Sequence, residues 1–249
     1  MRARGTQLRG YRRSLETSYA LGDFAALELL RHRPAHARRL YLSASLKPER
    51  RDELGRLAAH HGVPCAQDDA LIARFAHRGG VNALAVFAKY PMRLAPEADH
   101  LVLLEPQDPG NLGSILRTAA AFACPQVALV GERPDPFNPH VVRASIGACF
   151  LVESEVFPDL ASYRARFPRT LHPVLQAGAT PLPEARFARP SSLLFGSEWP
   201  GLPPAAARLG PSFGIPQDER VESLNLAAAV AVALYERRRS SYTARGESG

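Results

Sequence analysis

Short apolar runs that stop at a glycine, a proline or a capping side chain recur through the second half of this chain. They narrow its fold more than any other feature. Leu101-Val102-Leu103-Leu104 is apolar without alternation, as expected of a strand buried on both faces, and such strands belong to parallel sheets. Val127 to Val130, Leu171 to Leu175, Leu193 to Gly196 and Phe213 to Ile215 are the further strands expected. Three segments at or after such runs have the chemistry of ligand loops. They are Asn111-Leu112-Gly113-Ser114-Ile115-Leu116-Arg117, then Leu194-Phe195-Gly196-Ser197-Glu198-Trp199-Pro200-Gly201-Leu202, and then Ile215-Pro216 with Ser223-Leu224-Asn225. A parallel sheet gathers its loops at the carboxyl ends of the strands, so three of them in one domain predict one assembled site.

The chain is long enough, at 249 residues with 46% hydrophobic content, for one large or two modest domains. No apolar stretch reaches the roughly 18 to 20 residues of a membrane span, and the start lacks a charged-then-apolar leader, so a soluble cytoplasmic protein without membrane partners is expected. Cys65, Cys124 and Cys149 have neither C-x-x-C spacing nor a nearby histidine pair. They read as small buried hydrophobes, and no metal is expected.

Charge is distributed unevenly. Residues 1–95 hold 17 Lys and Arg against 8 Asp and Glu, and residues 96–249 hold 14 against 16, giving +9 and −2. A basic front half joined to a near-neutral back half suits a protein whose first part grips a polyanion and whose second part does chemistry. Only Lys47 and Lys89 are lysine, but a GC-rich genome explains that ratio as well as phosphate binding does.

Residues 1–16, with Arg2, Arg4, Arg9, Arg12 and Arg13, read as a basic flexible arm. Residues 17–92 alternate helix and strand: a helix capped by Asp23, a strand at Leu40 to Leu42, a helix from Pro48 to His61, a strand at Val63 to Cys65, a helix from Asp69 to Ala76, and Val81 to Phe87 closing the unit. That order predicts a small α/β sandwich. Lys89 to Asp99, with Pro91 and Pro96, is the expected linker to a second domain over residues 97–240. There, Asn111 is expected to cap a helix reaching about Phe122. The last helix, with Leu224, Leu226, Val230, Val232 and Leu234 among alanines, is apolar on every side. A helix of that kind is buried all round, either in the core of a monomer or against a second subunit, with Arg237, Arg238 and Arg239 suiting its negative end.

Several side chains could carry chemistry. Gly113, inside a helix, admits another backbone or a ligand. Arg117 lies one turn later among small apolar residues, so it is expected to be packed and partnered, with Glu198 or Glu105 as candidates. Glu198 follows the end of a strand by two residues, and Gly196 lacks a Cβ where a ligand can approach. Ile215-Pro216 fixes an extended backbone. Ser223 and Asn225 stand at the start of the last helix. Plainer roles are open for each: a helix cap for Asn111, an exposed turn for Glu198, a surface arginine for Arg143.

In order and spacing the three segments resemble the motifs of the SpoU/TrmH-type branch of the SPOUT RNA methyltransferases. Asn111, Gly113 and Arg117 match the first, Gly196, Glu198 and Gly201 the second, and Ile215, Pro216, Ser223 and Asn225 the third. The stretch Phe137 to Gly147 also looks like the family's segment between the first two motifs, with His140 in place of a lysine, and Gln217 replaces a methionine. The resemblance implies an α/β, SPOUT-type parallel sheet with a carboxyl-terminal trefoil knot, preceded by a ribosomal-protein-like RNA-binding domain. It implies S-adenosylmethionine as cofactor, structured ribosomal or transfer RNA as substrate, methylation of a ribose 2′-hydroxyl, and a homodimer. By the same resemblance Arg117, Asn111 and Glu198 are catalytic. Leu194, Gly196, Ile215, Gln217, Leu224 and Asn225 hold the cofactor, and Arg143 and Ser223 contact substrate. Base methylation on the same scaffold, or RNA binding without turnover, are the alternatives.

Overall fold

The computed structural model describes residues 8, 10–75, 80–131, 135–175, 180–187 and 189–246, with 241–246 by backbone alone. Arg2, Arg4, Arg9 and Ala76 lie outside the described residues. The chain divides into two compact units, residues 1–90 with 137–139, and residues 91–136 with 140–249. Among the described residues no helix is long and apolar enough to cross a membrane.

The first unit runs β1 (Thr17–Leu21), α1 (Asp23–His32), β2 (Ala37–Leu42), α2 (Pro48–His60), β3 (Cys65–Gln67), α3 (Asp69–Phe75) and β4 (Ala83–Ala88). Its sheet has the order β1-β4-β2-β3, antiparallel except for β2 with β3. β4 buries almost every residue because it lies between two strands, whereas α2 buries only Leu54 and Ala58 and turns its charges outward. Two expectations change here. Helix α1 is capped by Gly22 at φ 103°, with Asp23 as its first residue. The strand β1, hidden behind a polar start, buries Tyr19 and Ala20. Leu8 and Tyr11 pack on the group containing Tyr19 and Tyr41, and Lys89 Nζ donates to the Arg13 carbonyl at 2.7 Å. The part of the expected arm that is described is therefore docked on this sheet.

The second unit runs β5 (His100–Leu104), α4 (Pro109–Ala121), β6 (Gln126–Val130), α5 (Pro139–Ala144), β7 (Glu153–Phe157), α6 (Leu160–Arg166), β8 (Leu171–Leu175), β9 (Thr180–Pro181), β10 (Ser192–Phe195), β11 (Phe213–Gly214) and α7 (Leu226–Gly246). Its seven strands lie in the order β7-β6-β5-β10-β8-β11-β9, every pair parallel. The apolar runs of β5, β6 and β10 form its middle. Val102, Ala128 and Leu194 are fully buried with Tyr163 and Phe167 of the α6 region, each large side chain stabilising the fold by about 1.5–3 kcal/mol. Strand β7 and helix α6 give little sign in the sequence because β7 is a charged edge, Glu-Ser-Glu-Val-Phe, whose Glu155 accepts from the Leu94 N–H and pairs with Arg166.

The chain leaves β5 toward β6 on one side, and β10 returns to pair with β5 on the other. That reversal makes a topological switch point, where a parallel sheet opens a crevice beyond its carboxyl ends.

Within this chain helix α7 is buried on one side only, so the monomer-core form of the expectation is not met. Leu226, Val230, Ala233 and Leu234 face the core, while Val232 is 42% and Tyr235 56% exposed. Nor do its arginines sit at its end, because the helix continues to Gly246. Arg237 pairs with Asp99, and Arg239 pairs with Glu236.

Candidate functional site

Asp108, and not Asn111, caps α4. Its Oδ1 accepts from the Asn111 backbone N–H at 2.7 Å, and Pro109 takes the first helical position, where no N–H is needed. The Asp-Pro-Gly-Asn sequence carries that signal, and Asn111 thereby becomes the third helical residue with its side chain released from capping.

The freed amide joins three loops. Asn111 Nδ2 donates to Glu198 Oε1 at 3.0 Å, and Asn111 Oδ1 accepts from Asn225 Nδ2 at 3.0 Å. Asn225 Oδ1 in turn accepts from the N–H groups of Ala227 and Ala228 at 2.9 and 3.3 Å, capping α7. The direction of this relay is set at both ends. A carboxylate only accepts, and helix N–H groups only donate, so each asparagine has one possible orientation of its amide. Glu198 also accepts from the backbone N–H groups of Gln107 and Asp108 at 3.1 and 3.3 Å. Burial pushes its carboxyl pKa up, but the hydrogen bonds from the Asn111 side chain and from the backbone outweigh burial and hold it below the usual value.

Two glycines work differently from the expectation. A Cβ on Gly196 would sit 2.2 Å from the Gly201 carbonyl carbon and 2.3 Å from Leu202 N. Its missing side chain makes room for the return of its own loop, not for a ligand, and Gly201 supplies the φ of 83° that the return requires. A Cβ on Gly113 would lie 2.6 Å from both the Val141 carbonyl oxygen and Ala144 Cβ. That glycine presses α4 onto α5.

Residues 99–235 match the model of the SpoU rRNA Methylase family, more than half of the chain. The chain belongs to the SpoU rRNA methylase family. It is 42% identical over 149 residues to an uncharacterized tRNA/rRNA methyltransferase of Synechocystis, covering 58% of this chain and 54% of that protein. It is 32% identical over 151 residues to a 23S rRNA guanosine 2′-O-methyltransferase of Bacillus subtilis, covering 59% and 60%. The chain thus spans little more than half the length of these relatives. Among solved structures it is similar to an AdoMet-bound rRNA methyltransferase from Sinorhizobium meliloti, with a TM-score of 0.75 and 25% identity over 90% of this chain and 88% of that one. The α/β fold with its parallel sheet is therefore that of the SpoU methyltransferases.

The SpoU motifs are not all drawn into the relay. Arg117 is exposed, with no hydrogen bond or ion pair among the described residues, so the packed, Glu198-paired arginine expected from its neighbours is not found. Six residues separate it from Asn111, which turns it about 240° round the helix and away from the carboxylate. Arg143 is exposed at the last turn of α5, and Ser223 is exposed two residues before Asn225. Leu194 points into the hydrophobic core, so only its backbone can face a ligand. Gln217 Nε2 donates to the Val221 carbonyl at 3.3 Å and bridges its own loop. Ile215 is half-buried and Leu224 is 37% exposed. A cavity of about 780 Å³ in the first unit, beside Arg51 and Cys65, and another of about 990 Å³ in the second, beside Arg164 and Arg189, include none of the relay residues.

Proposed function

We propose that this chain transfers the methyl group of S-adenosylmethionine to a ribose 2′-hydroxyl of ribosomal or transfer RNA. The observation that carries this reading is the Asn225–Asn111–Glu198 relay, which ties the three SpoU motif loops together at the switch point of the sheet. The Bacillus subtilis relative, named for ribose methylation, supports the choice of the 2′-hydroxyl.

An adenosine needs apolar flanks and nearby backbone polar groups. Half-buried Ile215, partly exposed Leu224 and the backbone at Gly201, open where a side chain would stand, offer that chemistry. When bound, S-adenosylmethionine supplies a methyl group already made electrophilic by its sulfonium, so the protein's share is alignment and help with one proton. The relay fixes the loops relative to one another. Arg117, exposed and unpaired among the described residues, is assigned to the ribose and its adjoining phosphate, and Arg143 and Ser223 to further substrate contacts. A guanidinium keeps its proton in proteins and presents only donors, so it serves as a charged donor more readily than as a proton acceptor.

The finer reading follows. The slotting of β10 between β5 and β8, with residues 215–225 led back to Asn111, supports a deep carboxyl-terminal trefoil knot. The apolar outer face of α7 at Val232 and Tyr235 supports a homodimer. The basic balance of residues 1–95 supports an RNA-holding role for the first unit, and cytoplasmic RNA is the expected target. Incubation with methyl-labelled S-adenosylmethionine and unmodified ribosomal or transfer RNA, followed by alkaline hydrolysis, tests the whole. Label in an alkali-resistant dinucleotide is the expected result. Label in mononucleotides would mean base methylation, and RNA binding without label would mean a protein that holds RNA only.

A further inference from the structure

We infer that the Trp199 indole is a stacking platform for a nucleobase of the RNA substrate, immediately beside the Glu198 carboxylate. The inference rests on the proposed RNA methylation and adds to it the residue that receives a base.

Trp199 is the only tryptophan in the chain, and it is 81% exposed, the most open large apolar side chain among the described residues. Tryptophan ordinarily buries its large ring, so an indole left in water on a loop is unusual. No ring or cation packs against it among the described residues. A floppy loop would explain such exposure, but this loop is tied down on both sides of the ring. Glu198 holds three hydrogen bonds, Ser197 Oγ donates to the Trp199 carbonyl at 2.8 Å, and the Gly201–Leu202 backbone is lodged against Gly196. The loop backbone thus presents the indole from a fixed place.

Charge and shape select what it receives. A phosphate next to the ionised Glu198 carboxylate would be repelled, whereas a neutral planar base would not. Val221 at 51% and Leu224 at 37% exposure add apolar surface on the loop that precedes Asn225, so exposed apolar side chains flank the relay from two motif loops. A base splayed from a single strand or loop of RNA finds there the aromatic face that such bases use. Every base has a π-face, so the platform would hold the target nucleotide or its neighbour in register without reading its identity.

Because Trp199 is the sole tryptophan, its fluorescence reports the contact directly. The full chain is titrated with a mixed-sequence single-stranded oligoribonucleotide and with a blunt RNA duplex of equal length, while anisotropy of an end-labelled oligonucleotide follows binding separately. Quenching by the single strand, and much less by the duplex, is expected. Trp199→Ala should weaken single-strand binding and raise KM for unmodified ribosomal RNA by roughly five- to 150-fold, the range that base–aromatic stacking supplies per base. Trp199→Phe should recover most of that loss, and S-adenosylmethionine affinity should stay within twofold in both variants. Single-strand binding without quenching, or with Trp199→Ala binding as wild type, overturns the proposal. So does failure of the single strand to bind at low salt. A fluorescence change on raising protein concentration without RNA overturns it as well, by showing the indole covered by a second copy. Quenching by the single strand in a protein that methylates no RNA would sink the functional reading and leave the stacking site standing.

Discussion

Two helices, one from each unit, carry a glycine in their interior for opposite physical reasons. Gly55 of α2 has nothing within 4 Å of the place a Cβ would occupy, and it borders an open cavity beside Arg51 and Arg56. A Cβ on Gly113 of α4 would meet the backbone of α5 at 2.6 Å. A glycine inside a helix costs about 0.5–1 kcal/mol relative to alanine. In α4 that cost is offset by a contact that holds the helix, and with it Asn111, in one position. In α2 no contact offsets it. The second unit packs its helices closely beside the relay, whereas α2 of the first unit faces a charged, open surface.

The largest effect expected from this contrast is chemical. Arg117→Ala should lower methyl transfer to RNA by about a hundredfold or more, in line with the loss of one charged donor at a developing charge. S-adenosylmethionine affinity and the unfolding midpoint should not move, because Arg117 is exposed and holds no partner among the described residues. Single-turnover kinetics with calorimetry for the cofactor separates the two. Turnover within a few fold of wild type would remove Arg117 from the site.

Much of the second unit was legible because its central strands are buried on both faces and spell themselves as apolar runs: β5, β6 and β10 fall close to where those runs lie. What escaped were the elements whose partners are remote. The edge strand β7 carries two glutamates, and β1 shows its buried Tyr19 only once β4 lies beside it. Within the site, the motif positions named Asn111, Glu198 and Asn225, but their hydrogen-bond direction follows from which group faces which, a property of three dimensions. The glycines were misjudged for the same reason. A sequence shows that a Cβ is missing, and it does not show that Leu202 N fills the space at Gly196. Small neighbours around Arg117 suggested burial, yet they line the inner side of α4 while the guanidinium leaves on the outer side.

A second, smaller effect tests the close approach itself. Gly113→Ala should destabilise the protein by about 1–3 kcal/mol, since a rigid carbonyl and another Cβ must shift to admit the methyl group. Denaturant unfolding measures the loss. Methyl transfer should fall along with it, because displacing α4 lengthens the Asn111–Glu198 hydrogen bond. A neutral substitution would mean that α4 and α5 separate freely and that the relay is not held by their packing.

Smaller still, and confined to grip, is the removal of residues 1–7, which carry Arg2 and Arg4. Leu8 and Tyr11, which pack on the sheet, are kept, so stability should be unaffected. The slope of log K against log salt for RNA binding should flatten by about 0.9 per lost phosphate contact on duplex RNA, and by about 0.7 on single strands. Binding measured across a salt series gives the slope directly. An unchanged slope would place the polyanion grip elsewhere on the first unit, and unequal loss of turnover at saturating RNA would break the separation between gripping and chemistry.

The smallest effect has the opposite sign and decides whether the comparison of the two glycines is sound. Gly55→Ala should stabilise the protein by about 0.4–1 kcal/mol, because alanine restricts the unfolded chain, favours the helix and meets nothing within 4 Å. The same substitution is thus predicted to help in α2 and to harm in α4. Their difference in unfolding free energy comes from packing alone, since both positions lie inside helices that run 13 residues. The Gly55 methyl group would also enter the cavity beside Arg51 and Arg56. If Gly55→Ala proves stabilising yet weakens RNA binding, the open glycine is kept for the ligand and not through want of selection on stability. If it destabilises, α2 is packed more tightly than its open surroundings indicate, and the contrast between the two units fails at its simplest point.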